Sequence, residues 1–146
     1  MRGRIISIVV VCVAIFSAQH AAWGKLNKKE RAARLGSLQT IYVDGPGEAA
    51  SYVRENLSQK TCLQNMPERS EADAVLDIME GGPAPCTTGL AGLCTSITVQ
   101  LIDAKTNEAL WTAADEFPLR MDLPQQAHGP GDWVLWILRQ VCCKGR

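Results

Sequence analysis

Apolar and polar positions change their period several times along the chain, and each change marks an element. Leu38 to Val43 (LQTIYV) is rich in β-branched and aromatic residues, which suit a pleated, half-buried surface, and reads as a first strand. Asp44-Gly45-Pro46-Gly47 stops it, with Pro46 presetting φ for a helical turn. From Glu48 to Lys60, Ala49, Ala50, Val53 and Leu57 recur at helical spacing while Glu48, Arg54, Glu55 and Ser58 fall opposite. That predicts an amphipathic helix, and with the strand before it the first half of a right-handed βαβ unit. Thr61 to Met66 is a short second strand, closed by Pro67.

Ala72 to Glu80 (ADAVLDIME) reads as the central strand. Ala74, Leu76 and Ile78 share one face; Asp73, Val75, Asp77 and Met79 share a mixed face turned partly to solvent. Gly81 to Cys94 (GGPAPCTTGLAGLC) is dense in Gly and Pro and is expected to be a long loop. Thr95 to Ile102 alternates again and Ala109 to Phe117 returns. The turn chemistry of Asp103 to Glu108 between them predicts a β-hairpin, with Asn107 the residue at positive φ. Gly129-Pro130-Gly131-Asp132 repeats the earlier Gly45-Pro46-Gly47-Glu48, and Asp132 to Cys143 is a helix apolar most of the way round. The order β-α-β-β-(loop)-β-β-α predicts an α+β domain: one mixed β-sheet of about five strands with two helices packed on one face.

The start of the chain changes this picture. Arg2 and Arg4 precede an apolar run from Ile5 to Phe16, and Ala22-Trp23-Gly24 places small residues before Lys25. Residues 1–24 therefore have the three parts of a cleaved signal peptide. The run is too short to span a bilayer, which takes ~20 apolar residues, so no stable membrane span is expected after cleavage. Val9-Val10-Val11-Cys12 lacks the Leu and small residues that precede a lipidated cysteine. Residues 25–36, with Lys28, Lys29, Arg31 and Arg34, read as a basic, solvated N-terminal arm, the other reading being a patch for an anionic surface. Residues 37–146 are left as the single α+β domain. The expected location is periplasmic or secreted, the alternative being peripheral to the outer membrane. Lys plus Arg and Asp plus Glu are each 15, so no global field recruits nucleic acid.

An oxidising compartment gives the cysteines meaning. Of six, Cys12 lies in the leader, leaving Cys62, Cys86, Cys94, Cys142 and Cys143. Cys86 and Cys94 bracket the Gly-rich loop and are expected to pair. Cys62 ends the first helix near the expected place of the last one, so a bond to Cys142 or Cys143 would staple the chain end. Cys142 follows Leu135 and Leu138 on the apolar side and is preferred. Cys143 is then an odd thiol, open to a disulfide-linked homodimer or to thiol chemistry.

No catalytic constellation stands out. Outside the leader His128 is the one histidine, in a Pro- and Gly-rich stretch. Phosphate-loop and dinucleotide-binding motifs are absent. Asp73 and Asp77 lie about 13 Å apart by strand rise, wider than a glycosidase pair. Cysteine spacing does not suit structural zinc, and Cys-x-x-Cys is missing. Neither a cofactor nor a metal is expected. Trp111, Trp133 and Trp136 could line an aromatic pocket for a small ligand.

Glu71-Ala72-Asp73-Ala74-Val75-Leu76, with Leu101-Ile102-Asp103-Ala104 and Glu108-Ala109-Leu110-Trp111 across the hairpin, resembles small bacterial envelope domains. These are similar to the amino-terminal domain of the Tol translocation protein and to curli-secretion lipoproteins. The likeness spans Leu38 to Phe117. It implies a non-enzymatic periplasmic module that docks onto an envelope protein partner. The expected interaction surface is a free sheet edge or the face of Asp73, Val75, Asp77 and Met79, with Trp111 added. The alternatives are a thiol-reactive protein using the C-terminal cysteine pair and a small-ligand binder.

Overall fold

A computed structural model describes residues 26–87, 89, 91–119 and 129–146. The leader, Lys25 and His128 lie outside the described residues. The elements in chain order are α1 (Lys28–Ser37), β1 (Thr40–Asp44), α2 (Glu48–Lys60), β2 (Gln64–Asn65) and a 3-10 turn (Arg69–Glu71). There follow β3 (Ala74–Glu80), β4 (Ala84–Pro85), β5 (Leu93–Asp103), β6 (Ala109–Pro118) and α3 (Pro130–Cys142).

β1 runs parallel to both β2 and β3, whereas β5 is antiparallel to β3 and β6. The sheet is mixed and open, as the β-α-β start and the hairpin predict. β4 pairs with Leu93 and Cys94, so it continues the line of β3 along the same side of β5. β2 and β4 are two residues each because Pro67 and the Gly81-Gly82-Pro83 stretch leave no room for a longer ladder.

The predicted alternation of β3 holds. Ala74, Leu76 and Ile78 join Ile41 and Val43 of β1 and Ile97, Val99 and Leu101 of β5 in the buried core. Ala49, Ala50, Val53 and Leu57 of α2 and Val134, Leu135 and Leu138 of α3 cover that face. Each fully buried Leu or Ile there contributes about 2 kcal/mol of transfer free energy. Asn107 sits at φ 57 in the hairpin turn. A register shift between Leu101 and Ile102 marks a β-bulge, and the adjacent Leu110 and Trp111 both turn toward the core.

The two Gly-Pro-Gly helix starts are used differently. Pro130 falls in the first turn of α3, where its missing N–H costs nothing. Pro46 instead precedes the N-cap, Gly47, which has no side chain to cap with. Glu80 at the end of β3 fills that role: its Oε1 accepts the Ala49 N–H at 2.6 Å, so an anion sits on the positive end of α2. Gly45 turns at φ 131 against the Ile78 carbonyl, where a Cβ has no room. Gly131 likewise lets α3 approach the Tyr52 ring of α2.

Two segments depart from expectation. The stretch from Gly81 to Cys94 expected to be all loop carries β4 and the first two residues of β5, because Ala84 and Pro85 pair with Cys94 and Leu93. The basic stretch read as a solvated arm forms α1, because Asn27 and Glu30 make a reciprocal capping box and Arg34 reaches Asp103 with Nε–Oδ2 at 2.5 Å. Leu26 and Leu35 pack against the core, making a third helix beside the two that were predicted.

Candidate functional site

The face of the sheet away from the helices is built by strand register. Tyr42 pairs with Val75 and Val75 with Ile102; Asp44 pairs with Asp77, Asp77 with Gln100 and Gln100 with Thr112. Met79 pairs with Thr98 and Thr98 with Ala114. Successive rows are therefore apolar, polar and mixed. Every charged strand residue on this face is acidic, Asp44, Asp77 and Glu116, and Asp73 stands immediately before β3. No described helix packs on it, and Met79, near the end of β3, is 48% exposed.

Four of the expected surface residues lie here, with unequal roles. Asp73 is a structural clamp: its Oδ2 accepts the Gln39 and Thr40 N–H groups at 3.0 and 3.1 Å. Burial pushes its carboxyl up, but those two amides, the Thr40 hydroxyl and the charge of Arg34 outweigh burial and hold it below the usual range. Val75 is buried, with Tyr42 and Ile102 as its register partners. Asp77 and Met79 are the accessible pair. Trp111 does not belong with them. It pairs with Leu101, so it faces the helices. The expectation that placed it on the open face is corrected by the register, which nothing in the irregular alternation of Ala109 to Phe117 revealed.

A second concavity is aromatic. Phe117 and Trp133 meet edge to face at 5.5 Å, and with Asp132 and the exposed Trp136 they line a cavity of about 340 Å³. The structure thus brings Trp133 and Trp136 together and leaves Trp111 out.

The sulfur framework corrects the preferred pairing. Cys86 bonds Cys94, whereas Cys62 bonds Cys143 rather than Cys142. Cys142 is the free thiol and is buried. Residues one apart on a helix point about 100° from each other. The position aligned with Leu135 and Leu138 therefore enters the core, while the next one faces the end of α2. Burial pushes the Cys142 thiol up to about 11, with Arg146 opposing. A buried thiol of that kind cannot link two copies across their surfaces, so the homodimer expected through an odd cysteine is also corrected. Lys60, Arg139, Lys144 and Arg146 surround the Cys62–Cys143 bond at the carboxyl ends of α2 and α3, where cations answer the helix dipoles.

Among the described residues no group of three or more His, Cys, Asp or Glu side chains could hold a metal, and no helix is long and apolar enough to cross a membrane.

No protein-family model and no curated protein matches the chain. Several solved structures are similar to it, three of which follow. An uncharacterized lipoprotein B from Nitrosomonas europaea has a TM-score of 0.44 and 19% identity, over 73% of this chain and 83% of that one. A PelC dodecamer from Paraburkholderia phytofirmans has a TM-score of 0.41 and 17% identity, over 70% and 83%. A minor lipoprotein from Acinetobacter baumannii has 0.40 and 17%, over 71% and 92%.

Proposed function

We propose that the chain is an exported, disulfide-stabilised binding and assembly module that acts without catalysis and meets an envelope protein through the open face of its sheet. The observation that carries this reading is the uncovered face itself: Tyr42, Met79 and Ile102 beside Asp44 and Asp77, with no described helix over them. An exposed apolar side chain among half-buried apolar and acidic neighbours, on a face no described helix covers, supports an interaction surface there. The signal-peptide pattern, the two disulfides and the resemblance of the ADAVL strand to envelope domains support the location. The thiol-reactive alternative loses its nucleophile, since Cys143 is bonded and Cys142 is buried with a raised pKa.

Site-specific photo-crosslinking in the exported protein tests this reading. A crosslinker at Met79 or Thr112 is expected to give discrete protein adducts, and one at Glu55 on the outer side of α2 to give none. The reading fails if the open face yields no adduct, or if Glu55 yields the same ones.

A further inference from the structure

Among the described residues, the open face and α1 are two exposed surfaces of opposite sign. α1 has no buried residue and carries Lys28, Lys29 and Arg31, all exposed, against a single acid, Glu30. A short polar helix has little reason to persist through burial. It is held instead by its capping box, by Leu26 and Leu35 at its ends, and by the Arg34–Asp103 ion pair. Its outward side is left basic and free, since Arg34 is the cation spent on the fold. The open face offers the complement: Asp44 and Asp77 among Tyr42, Met79 and Ile102, with no Lys or Arg on any strand position turned that way, while Glu116 at its edge accepts from the Thr87 N–H and hydroxyl.

We infer that the occupant of the open face is a second copy of this chain, docking the basic side of α1 onto the acidic sheet. The inference rests on the proposed role of that face and adds the identity of its partner. The two surfaces lie on opposite sides of the sheet, so a copy cannot satisfy its own face. The contact is heterologous: each copy gives a helix to one neighbour and a sheet to the other, so assembly leads to a ring or an open chain rather than a two-fold dimer. Complementary potentials also make it salt-sensitive.

Sedimentation velocity of the exported, oxidised protein tests this. Self-association is expected to rise with concentration and to weaken about tenfold or more between ~0.05 M and ~0.5 M salt. Lys28→Glu with Lys29→Glu is expected to abolish it, as is Asp44→Lys with Asp77→Lys, each checked for an unchanged thermal transition. The milder Asp44→Asn with Asp77→Asn weakens it without reversing a charge. An equal mixture of the two reversed proteins is expected to assemble again, because each then supplies the charge the other lacks. Monomers at every concentration and salt overturn the inference, and so does association that ignores both reversals. Binding to phosphatidylglycerol vesicles that is lost in the α1 variant, without self-association, overturns it in favour of an anionic membrane surface. If the protein is monomeric while Met79 still crosslinks to another protein, the inference fails and the proposed function stands. If Met79 also gives no adduct, both fail.

Discussion

β3 presents two faces from one run of residues, and the fold treats them in opposite ways. Ala74, Leu76 and Ile78 are closed off by α2 and α3, while Asp77 and Met79, one position along from them, keep their access to solvent. The covered side also holds the part-buried Arg34–Asp103 pair, the Glu80 cap on α2 and the Cys62–Cys143 staple. The uncovered side has one covalent device, the Cys86–Cys94 loop beside β5. Stability is concentrated where the helices are, and the residues opposite carry less of it.

The staples separate the sides most strongly. In the chain-entropy model a bond spanning 81 residues stabilises by about 4.5 kcal/mol, and one spanning 8 by about 2.5. Cys62→Ala with Cys143→Ala is therefore expected to lower denaturant stability by about 4 kcal/mol, and Cys86→Ala with Cys94→Ala by roughly half that. Equal losses would show that the loop around Cys86 supports the sheet as much as the chain-end staple does.

Next comes the strand itself. Leu76→Ala empties a fully buried site beneath α2 and α3 and is expected to cost about 3 kcal/mol in chemical unfolding. Met79→Ala removes a side chain that is half in water and is expected to stay within about 0.5 kcal/mol. A comparable loss at both positions would mean that the open face is covered in the protein as it exists in solution.

This division was readable in the sequence where a local pattern decides it. The bounds of α2 follow from the spacing of Ala49, Ala50, Val53 and Leu57, and the faces of β3 follow from simple alternation. Reading stopped where placement depends on a distant partner. Trp111 takes its face from its register with Leu101 and from a bulge, neither of which Ala109 to Phe117 encodes alone. The choice between Cys142 and Cys143 turned on proximity to α2, and the apolar stripe reports burial instead. α1 had its signal in view, Asn27 three residues before Glu30, but its basic composition and terminal position argued for an arm. Glu80 as the cap of α2 is invisible without the fold, since the two are 31 residues apart.

A smaller effect than the loss at Leu76 is specific to the covered side and depends on pH. Asp103 is 3% exposed, and burial alone would push its carboxyl up. The Arg34 guanidinium and the Lys105 and Thr106 N–H groups reverse that and hold it below the ordinary value of 3.8. A carboxyl depressed in the folded state stabilises above its unfolded value, and the contribution is lost as pH falls through the folded value. Arg34→Met is therefore expected to lose about 2 kcal/mol at neutral pH, the worth of a charged hydrogen bond to a buried acceptor. Because Arg34 also lowers Asp73, both carboxyls rise in the variant. The gap between wild type and variant should then close as the pH is taken down from the ordinary carboxylate value, when each protein protonates these groups. A gap that stays constant into acid would show that Arg34 holds α1 by packing its methylenes, and that the charge contributes nothing. That result would also bear on the proposed assembly, since the pair is one of the contacts, with Leu26 and Leu35, that hold α1 against the domain.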